Sequence, residues 1–235
     1  MTAGPDWVRV AAACHHRRMR VHRSFSFVDV SGFTALTEHE GDEHAVDVLT
    51  AFRSLVRDIC SRRGVRIAKW LGDGAMLVGV ETPPLLAAVL ELHHVVAELD
   101  GPVSIRSGTT SGQVILMEGD DYIGHCVNVA SRLCDAARSG QALIDPSVAA
   151  ELPRWGAILI EEHITLRGVE HPVPASHIGM ATGLGKGRDP ICGLPISEGT
   201  AEEVARDAQG STVLFCSLGC LDTWQRRPAR SAGVW

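Results

Sequence analysis

The sequence lacks a long apolar segment and an excess of basic residues, and each absence argues against one class of protein. Its richest apolar stretch, residues 83–99, is interrupted by glutamates and histidines and is a poor membrane span. The formal charge is -6, which argues against a general nucleic-acid-binding protein. The first residues contain no apolar core followed by small residues, so we expect no secretory signal and a cytoplasmic location.

The composition is that of a soluble globular protein. The 235 residues, 45% of them hydrophobic and 21% charged, suffice for one large domain, or for a medium domain with a small appendix. Seven cysteines are an odd number, and a chain of this length needs no disulfides, so we interpret them as reduced thiols. Three of them, Cys192, Cys216 and Cys220, lie in the last fifth of the chain and suggest a second module.

Apolar periodicity and turn residues predict the order of secondary structure. The predicted elements are a strand over Ser24–Val30, a helix over His44–Arg62, a hairpin of Val65–Leu71 and Ala75–Val80, a helix over Thr82–Leu99, a strand over Val103–Thr109, a helix over Val127–Ala137 and a strand over Gly140–Ile144. This β-α-β-β-α-β order, with further elements after it, predicts a ferredoxin-like α+β sandwich. We expect a lead-in over residues 1–22, disordered in one interpretation, a main domain over 23–179, a Gly-rich linker over 180–188 and a Cys-containing module over 189–230.

Two aspartates stand at predicted turns of neighbouring strands. Asp29 ends a strand and is followed by a glycine turn and a helix, an arrangement suited to a metal ion and a phosphate; its alternative role is to cap that helix. Asp73 lies in the tight turn Gly72-Asp73-Gly74, where turn chemistry is the simpler explanation. Together the two carboxylates can hold two divalent cations, as in sites of phosphoryl transfer.

A third candidate segment is the predicted helix that follows residue 126. Asn128 and Arg132 are four residues apart and share one face of it. An amide beside a guanidinium suits the binding of a sugar oxygen and a phosphate. The alternative interpretation is that these two residues form a solvated polar face that binds no ligand.

Taken together, these segments resemble the catalytic domain of class III nucleotide cyclases over about residues 23 to 179. The stretches that carry the resemblance are FSFVDVSGFTALTE, KWLGDGAMLVG, RSGTTSG, YIGHCVNVASRL, GQALID and ITLRGVEHPVPASHI. It implies an adenylate cyclase, which converts ATP to 3′,5′-cyclic AMP and pyrophosphate.

The resemblance also implies a role for each matching residue. Asp29 and Asp73, with the backbone at Val30, match the positions that hold two Mg²⁺ or Mn²⁺ ions. Backbone amides from Val30 to Thr34, including Phe33, would cradle phosphates. Lys69 and Asp121 match the pair that reads the purine and here favour adenine, Asn128 matches the ribose-orienting residue, and Arg132 matches the arginine that stabilises the α-phosphate in the transition state.

Family members work as dimers with shared sites, so the resemblance implies a homodimer with two equivalent sites. One departure from the family pattern is at the lysine of a late strand that binds the triphosphate, for which Arg167 is the candidate here.

Two rival hypotheses stay open: a non-catalytic protein that binds nucleotide and senses metal or redox state, and a guanylate cyclase.

The last residues form a separate pattern. DPICG and FCSLGC resemble a YHS-type (TRASH-like) metal-binding domain, in which Cys192, Cys216 and Cys220 would hold Zn²⁺ or Cu⁺. The alternative is that these cysteines are buried packing residues.

The Gly-rich stretch over residues 183–187 lacks the spacing and the Ser or Thr of a P-loop.

Overall fold

The computed structural model describes residues 19–99, 101–117, 121–168, 171–181, 185 and 187–226. Most of the predicted lead-in, residues 1–18, lies outside these ranges, as do residues 182–184 and 186 of the predicted linker and residues 227–230 of the predicted module. The first strand begins at Met19, so residues 19–22, expected in the lead-in, belong to the sheet instead. The rest of the domain division stays a prediction.

The described chain alternates strands and helices and ends in short strands. Its strands are β1 (Met19–Ser31), β2 (Arg66–Leu71), β3 (Gly74–Gly79), β4 (Ser104–Met117), β5 (Asp121–Ile123), β6 (Ala142–Ile144), β7 (Gly156–Ile164), β8 (Val173–Met180), β9 (Gly187–Arg188), β10 (Pro195–Ile196), β11 (Glu203–Arg206) and β12 (Thr212–Phe215). Its helices are α1 (Phe33–Glu40), α2 (Asp42–Arg63), α3 (Thr82–Glu98), α4 (His125–Ala136) and α5 (Leu218–Gln225), with a 3₁₀ helix at Pro146–Glu151.

One sheet forms the centre of the molecule, in the order β2-β3-β1-β4-β6-β8-β7, with β5 paired to β4. β1 lies between β3 and β4 and is antiparallel to both. The predicted ferredoxin-like arrangement is confirmed in the elements from β1 to β4, and the strands from β6 to β8 extend the sheet. Pairing of β1 with β4 places Asp29 opposite Arg106, which matters for the site.

Strand β4 is longer than predicted, because it continues to Met117 instead of ending at Thr109. Its middle, SGTTSGQ, has small and polar residues and therefore lacks the alternation that marks a strand. Small residues are needed there because α4 packs closely on the strand. A Cβ atom on Gly108 would lie 2.2 Å from the backbone nitrogen of Cys134.

Helix α2 follows the expected rules for helix ends. Asp42 and Glu43 stand in its first turn, and Arg62 and Arg63 stand in its last turn, so charges at both ends complement the helix dipole. The predicted glycine at its carboxyl end is confirmed, because Gly64 adopts the left-handed conformation with φ 66°.

The C-terminal residues pack on the central fold and share its core. Trp155, Leu194, Ile196 and Phe215 are fully buried or nearly so in a cluster that includes α3 residues such as Leu90. Its small strands and α5 contribute apolar side chains to the same core as the sheet. Within the described residues, no helix combines the length and the apolar character that a membrane span requires.

Candidate active site

A cavity of about 480 Å³ lies where β1, the β2–β3 turn and the start of α1 meet. Its lining comprises Asp29, Val30, Ser31, Gly32, Phe33, Thr34, Ala35, Asp73, Arg106, Ala137 and Ser139. The structure thus brings together five residues singled out from the sequence, namely Asp29, Val30, Phe33, Thr34 and Asp73. They come from two segments about forty residues apart in the chain, and the fold alone makes them neighbours.

Close packing of the β2–β3 hairpin against β1 positions the two carboxylates. Gly74 follows Asp73 directly, and a Cβ atom there would lie 2.7 Å from the carbonyl oxygen of Val28 and 3.1 Å from Oδ1 of Asp29. Gly72 forms the turn with φ 65°. Desolvation, and secondly the negative charge of Asp29, raise the pKa of Asp73.

Arg106 is a cavity residue that the sequence reasoning did not single out. Its Nε and Nη2 donate to Oδ2 of Asp29 at 2.9 and 2.6 Å, and its Nη1 donates to the carbonyl oxygen of Asp135 at 3.3 Å. The hydrogen bonds and charge of Asp29 raise the pKa of Arg106, so the guanidinium stays charged. Only the register of β1 with β4 shows that Arg106 faces Asp29, and no local pattern specifies that register.

Residues at the turn from β1 into α1 form another part of the cavity lining. Gly32 adopts φ 87° and directs the chain from β1 into α1, so the first residues of the helix line the same cavity as the two carboxylates. Backbone amides at the start of a helix and the positive end of the helix dipole favour an anion. The buried Oγ of Ser31 lines the same cavity and has no hydrogen-bond partner within the described part of the chain.

These residues fit a divalent cation with a phosphate. Carboxylate oxygens are the ligands that Mg²⁺ and Mn²⁺ prefer, and desolvation together with the negative charge of Asp29 raises the pKa of Asp73. Oδ1 of Asp29 is not used by Arg106, and the Ser31 hydroxyl is an available polar group. The donor set therefore suits Mg²⁺ or Mn²⁺ better than a soft metal.

The predicted purine-reading pair forms an ion pair outside this cavity. Nζ of Lys69 donates to Oδ1 of Asp121 at 2.8 Å, although the residues are 52 positions apart. Both side chains are about half exposed, so the pair is available to a ligand. This hydrogen bond from Lys69 lowers the pKa of Asp121, with a further contribution from the Tyr122 backbone.

The remaining predicted residues also lie outside the cavity. Asn128 is exposed on α4, and Arg132, one turn later, is 3.8 Å from Asp135. Arg167 is exposed in the turn between β7 and β8. None of Lys69, Asp121, Asn128, Arg132 and Arg167 is therefore among the residues that line the carboxylate cavity.

The three C-terminal cysteines converge as expected for a metal site. Sγ of Cys216 is 3.4 Å from Sγ of Cys192 and 3.7 Å from Sγ of Cys220. Asp189, the first residue of DPICG, to which the sequence reasoning gave no ligand role, places a carboxylate oxygen within 4.8 Å of the sulfurs. Hydrogen bonds from Cys192 and Cys216 lower the pKa of Cys220, which favours its thiolate.

Comparisons with known proteins agree with this fold. No protein-family model matches the chain. An uncharacterized protein of Mycobacterium tuberculosis is 36% identical over 149 residues, 63% of this chain and 39% of its own length. A pH-sensitive adenylate cyclase of the same species is 36% identical over 127 residues, 54% of this chain and 32% of the relative. The chain thus spans about a third to two-fifths of these relatives.

Solved structures cover the same region. The adenylyl cyclase CyaB from P. aeruginosa superposes with a TM-score of 0.64 and 23% identity, over 71% of this chain and 98% of that one. The guanylyl cyclase Cya2 gives a TM-score of 0.63 and 20% identity, over 71% and 96%. The chain therefore has the fold of class III nucleotide cyclase catalytic domains. That fold occurs with both purine specificities and does not decide between them.

Replacing Gly74 with alanine tests the close packing that positions Asp73. The new Cβ would contact the Val28 backbone, which cannot rotate away, so the hairpin must shift from β1. We expect Gly74→Ala to lower the free energy of unfolding by about 1–3 kcal/mol and to weaken Mn²⁺ binding, measured by urea denaturation and calorimetry. Gly101→Ala is the matched control, since its Cβ meets no atom within 4 Å. Equal stability and Mn²⁺ affinity in Gly74→Ala and the wild type would contradict this role.

Proposed function

We propose that the protein is an adenylate cyclase, which converts ATP to 3′,5′-cyclic AMP and pyrophosphate in a metal-dependent reaction at sites shared by two copies. The observation that carries the proposal is the convergence of Asp29, Asp73 and an amide-lined turn in one cavity. Relatives named adenylate cyclases, at 36% and 32% identity over part of the chain, support it.

The carboxylate side of the site would hold the triphosphate. Bound Mg²⁺ or Mn²⁺ would supply charge neutralisation and a more acidic 3′-hydroxyl. Asp29 and Asp73 would fix the cations, while the amides of residues 30–34 donate to phosphate oxygens. Arg106 adds a permanent positive charge 2.6 Å from Asp29, and its guanidinium is placed to offset the charge of an incoming phosphate.

The reaction itself needs an oriented sugar and a stabilised phosphate. The 3′-hydroxyl loses its proton to solvent and its oxygen forms a bond to the α-phosphorus. The bond from that phosphorus to the bridging oxygen breaks, and pyrophosphate leaves with that oxygen. In our proposal Asn128 orients the ribose, and the Arg132 guanidinium donates to the α-phosphate as negative charge develops. Both side chains are accessible on α4, as this role requires.

Adenine recognition rests on the Lys69–Asp121 pair. The ammonium group of Lys69 donates to ring nitrogen acceptors, and the carboxylate of Asp121 accepts from the exocyclic amine of adenine. The 2.8 Å ion pair fixes the two groups beside each other. Guanine presents a carbonyl oxygen where adenine has that amine, so Asp121 would disfavour it.

A second copy of the chain completes the site in this proposal. The residues for base, ribose and α-phosphate lie outside the carboxylate cavity of their own chain. Met19, Met117 and Ile123 expose about half or more of their surface at the β1, β4 and β5 ends beside Asp121, where a partner can cover them. A twofold axis would give two equivalent sites.

Mixing two inactive variants tests whether the site is shared. Asp73→Asn and Asn128→Ala each remove one half of the site, so neither homodimer should form product. A dimer with one copy of each variant has one intact site of two. When equal amounts of the variants exchange at random, half of the dimers are mixed, so we expect about a quarter of the wild-type rate of cyclic AMP formation.

The control mixture combines Asp73→Asn with Asp29→Asn. These residues belong to the same half-site, so mixing them should restore nothing. Equal rates in the two mixtures, or full activity in Asp73→Asn alone, would contradict the shared site.

Exchanging the charges of the base-reading pair tests purine selection. The double variant Lys69→Asp with Asp121→Lys keeps an exposed ion pair but reverses donor and acceptor. We expect the preference for ATP over GTP in kcat/KM to fall at least about tenfold, equivalent to about 1.4 kcal/mol. The control is the same exchange at Asp222 and Arg226, an ion pair of 3.9 Å on α5. An unchanged preference would show that other residues read the base.

A further inference from the structure

The cysteine cluster is built into the fold by Asp189. This residue is 1% exposed, and its carboxylate accepts from the backbone nitrogens of Ile191 at 2.8 Å, Cys192 at 3.2 Å and Cys216 at 2.8 Å. Through these three hydrogen bonds, Asp189 holds together the two segments that carry Cys192 and Cys216. The soft donors that the cluster offers to a ligand are the three sulfurs, with Cys220 as the third.

Three clustered sulfurs define the chemistry of that ligand. Cys216 and Cys220 are 1% and 5% exposed, and their sulfurs lie 3.7 Å apart. Thiolate donors select thiophilic cations such as Cu(I) and Zn(II) over Mg²⁺, so this site and the carboxylate cavity would take different metals.

Arg63 joins the cluster to the helices of the central fold. Its Nη2 donates to Sγ of Cys216 at 3.3 Å, and its Nε donates to Oε2 of Glu91 on α3. Arg62 donates to the other oxygen of this fully buried glutamate at 2.8 Å. The indole nitrogen of Trp155 donates to the carbonyl oxygen of Cys216 at 2.9 Å. The carboxyl end of α2 is thus fixed to a cysteine of the cluster.

Nearer to its amino end, the same helix contacts the β2–β3 hairpin of the candidate active site. Nη2 of Arg53 donates to the carbonyl oxygen of Gly72 at 2.8 Å, immediately before Asp73. The Arg53 guanidinium also stacks over Trp70 of β2, 5.1 Å from the ring centroid. Arg53 and Arg63 are ten residues apart, about 15 Å along a continuous helix.

We propose that Cys192, Cys216 and Cys220 bind one thiophilic cation, and that this cation acts through α2 on the carboxylate cavity. Loading the site fixes Cys216 and with it Arg63, α2 and the Arg53 contact to the hairpin. The loaded protein therefore holds Asp73 beside Asp29 more firmly and binds Mg²⁺ more tightly. The regulatory part of this proposal rests on the proposed function, whereas the cation site and its linkage to Mg²⁺ do not.

Cation binding and linkage are measured on the full chain. Metal-free protein is titrated anaerobically with Cu(I) and, separately, Zn(II), each against a chromophoric chelator, with and without Mg²⁺ and a non-hydrolysable ATP analogue. We expect one cation per chain, lost in Cys216→Ser. Thermodynamic reciprocity requires Mg²⁺–nucleotide to tighten that cation by the same factor by which the cation tightens Mg²⁺, and we expect at least about fivefold.

Two helix variants test the route. Arg53→Met should keep one cation per chain but lose the linkage, since its bond to Gly72 is gone. Arg57→Met is the matched control, because Arg57 also stacks on Trp70, at 5.2 Å, and should retain the linkage. Arg63→Lys, which keeps a positive charge beside Glu91, should weaken the linkage while keeping the cation.

Each outcome decides a definite part of the proposal. No bound cation, or binding that survives Cys216→Ser, overturns the site. Binding without linkage, or linkage that persists in Arg53→Met, overturns the route through α2. Linkage in a folded dimer that forms no cyclic product supports this inference and contradicts the proposed function instead.

Discussion

The close approach of the β2–β3 hairpin to the end of β1 is the constraint on which the candidate active site depends. It places Asp73 beside Asp29, where desolvation and, secondly, the negative charge of Asp29 raise the pKa of Asp73. Gly74 permits the approach, and Arg106 from β4 offsets part of the charge. In the proposed function, this arrangement at the start of α1 holds divalent cations together with a polyphosphate.

Helix α2 contacts both the hairpin that carries Asp73 and the C-terminal cysteine cluster. Arg53 contacts the turn before Asp73, and Arg63 contacts both the buried Glu91 and the sulfur of Cys216. The C-terminal cysteines therefore adjoin the central core, since Phe215 and Trp155 share one apolar cluster with α3. This packing is the route through which we propose that a soft cation at the cysteines acts on the carboxylate cavity.

Local sequence was sufficient for much of the fold. The hairpin followed from Gly72-Asp73-Gly74, and the end of α2 followed from two arginines and Gly64. The length of β4 was missed because its small residues serve packing against α4, a tertiary requirement. Arg106, Asp189 and Arg53 were missed for a related reason: each acts through a partner distant in the chain, which only strand register or loop packing brings close. The Lys69–Asp121 pair was predicted through family resemblance, and spacing alone would not have shown it.

The most direct test of the central claim is cyclic nucleotide formation by the purified full chain. ATP and GTP are supplied in parallel with Mn²⁺, over a wide range of protein concentration. The account predicts cyclic AMP from ATP, little product from GTP, and a specific activity that rises with protein concentration as dimers form. No product from either nucleotide, in protein shown to be folded and dimeric, would contradict it and favour a non-catalytic protein that binds nucleotide and senses metal.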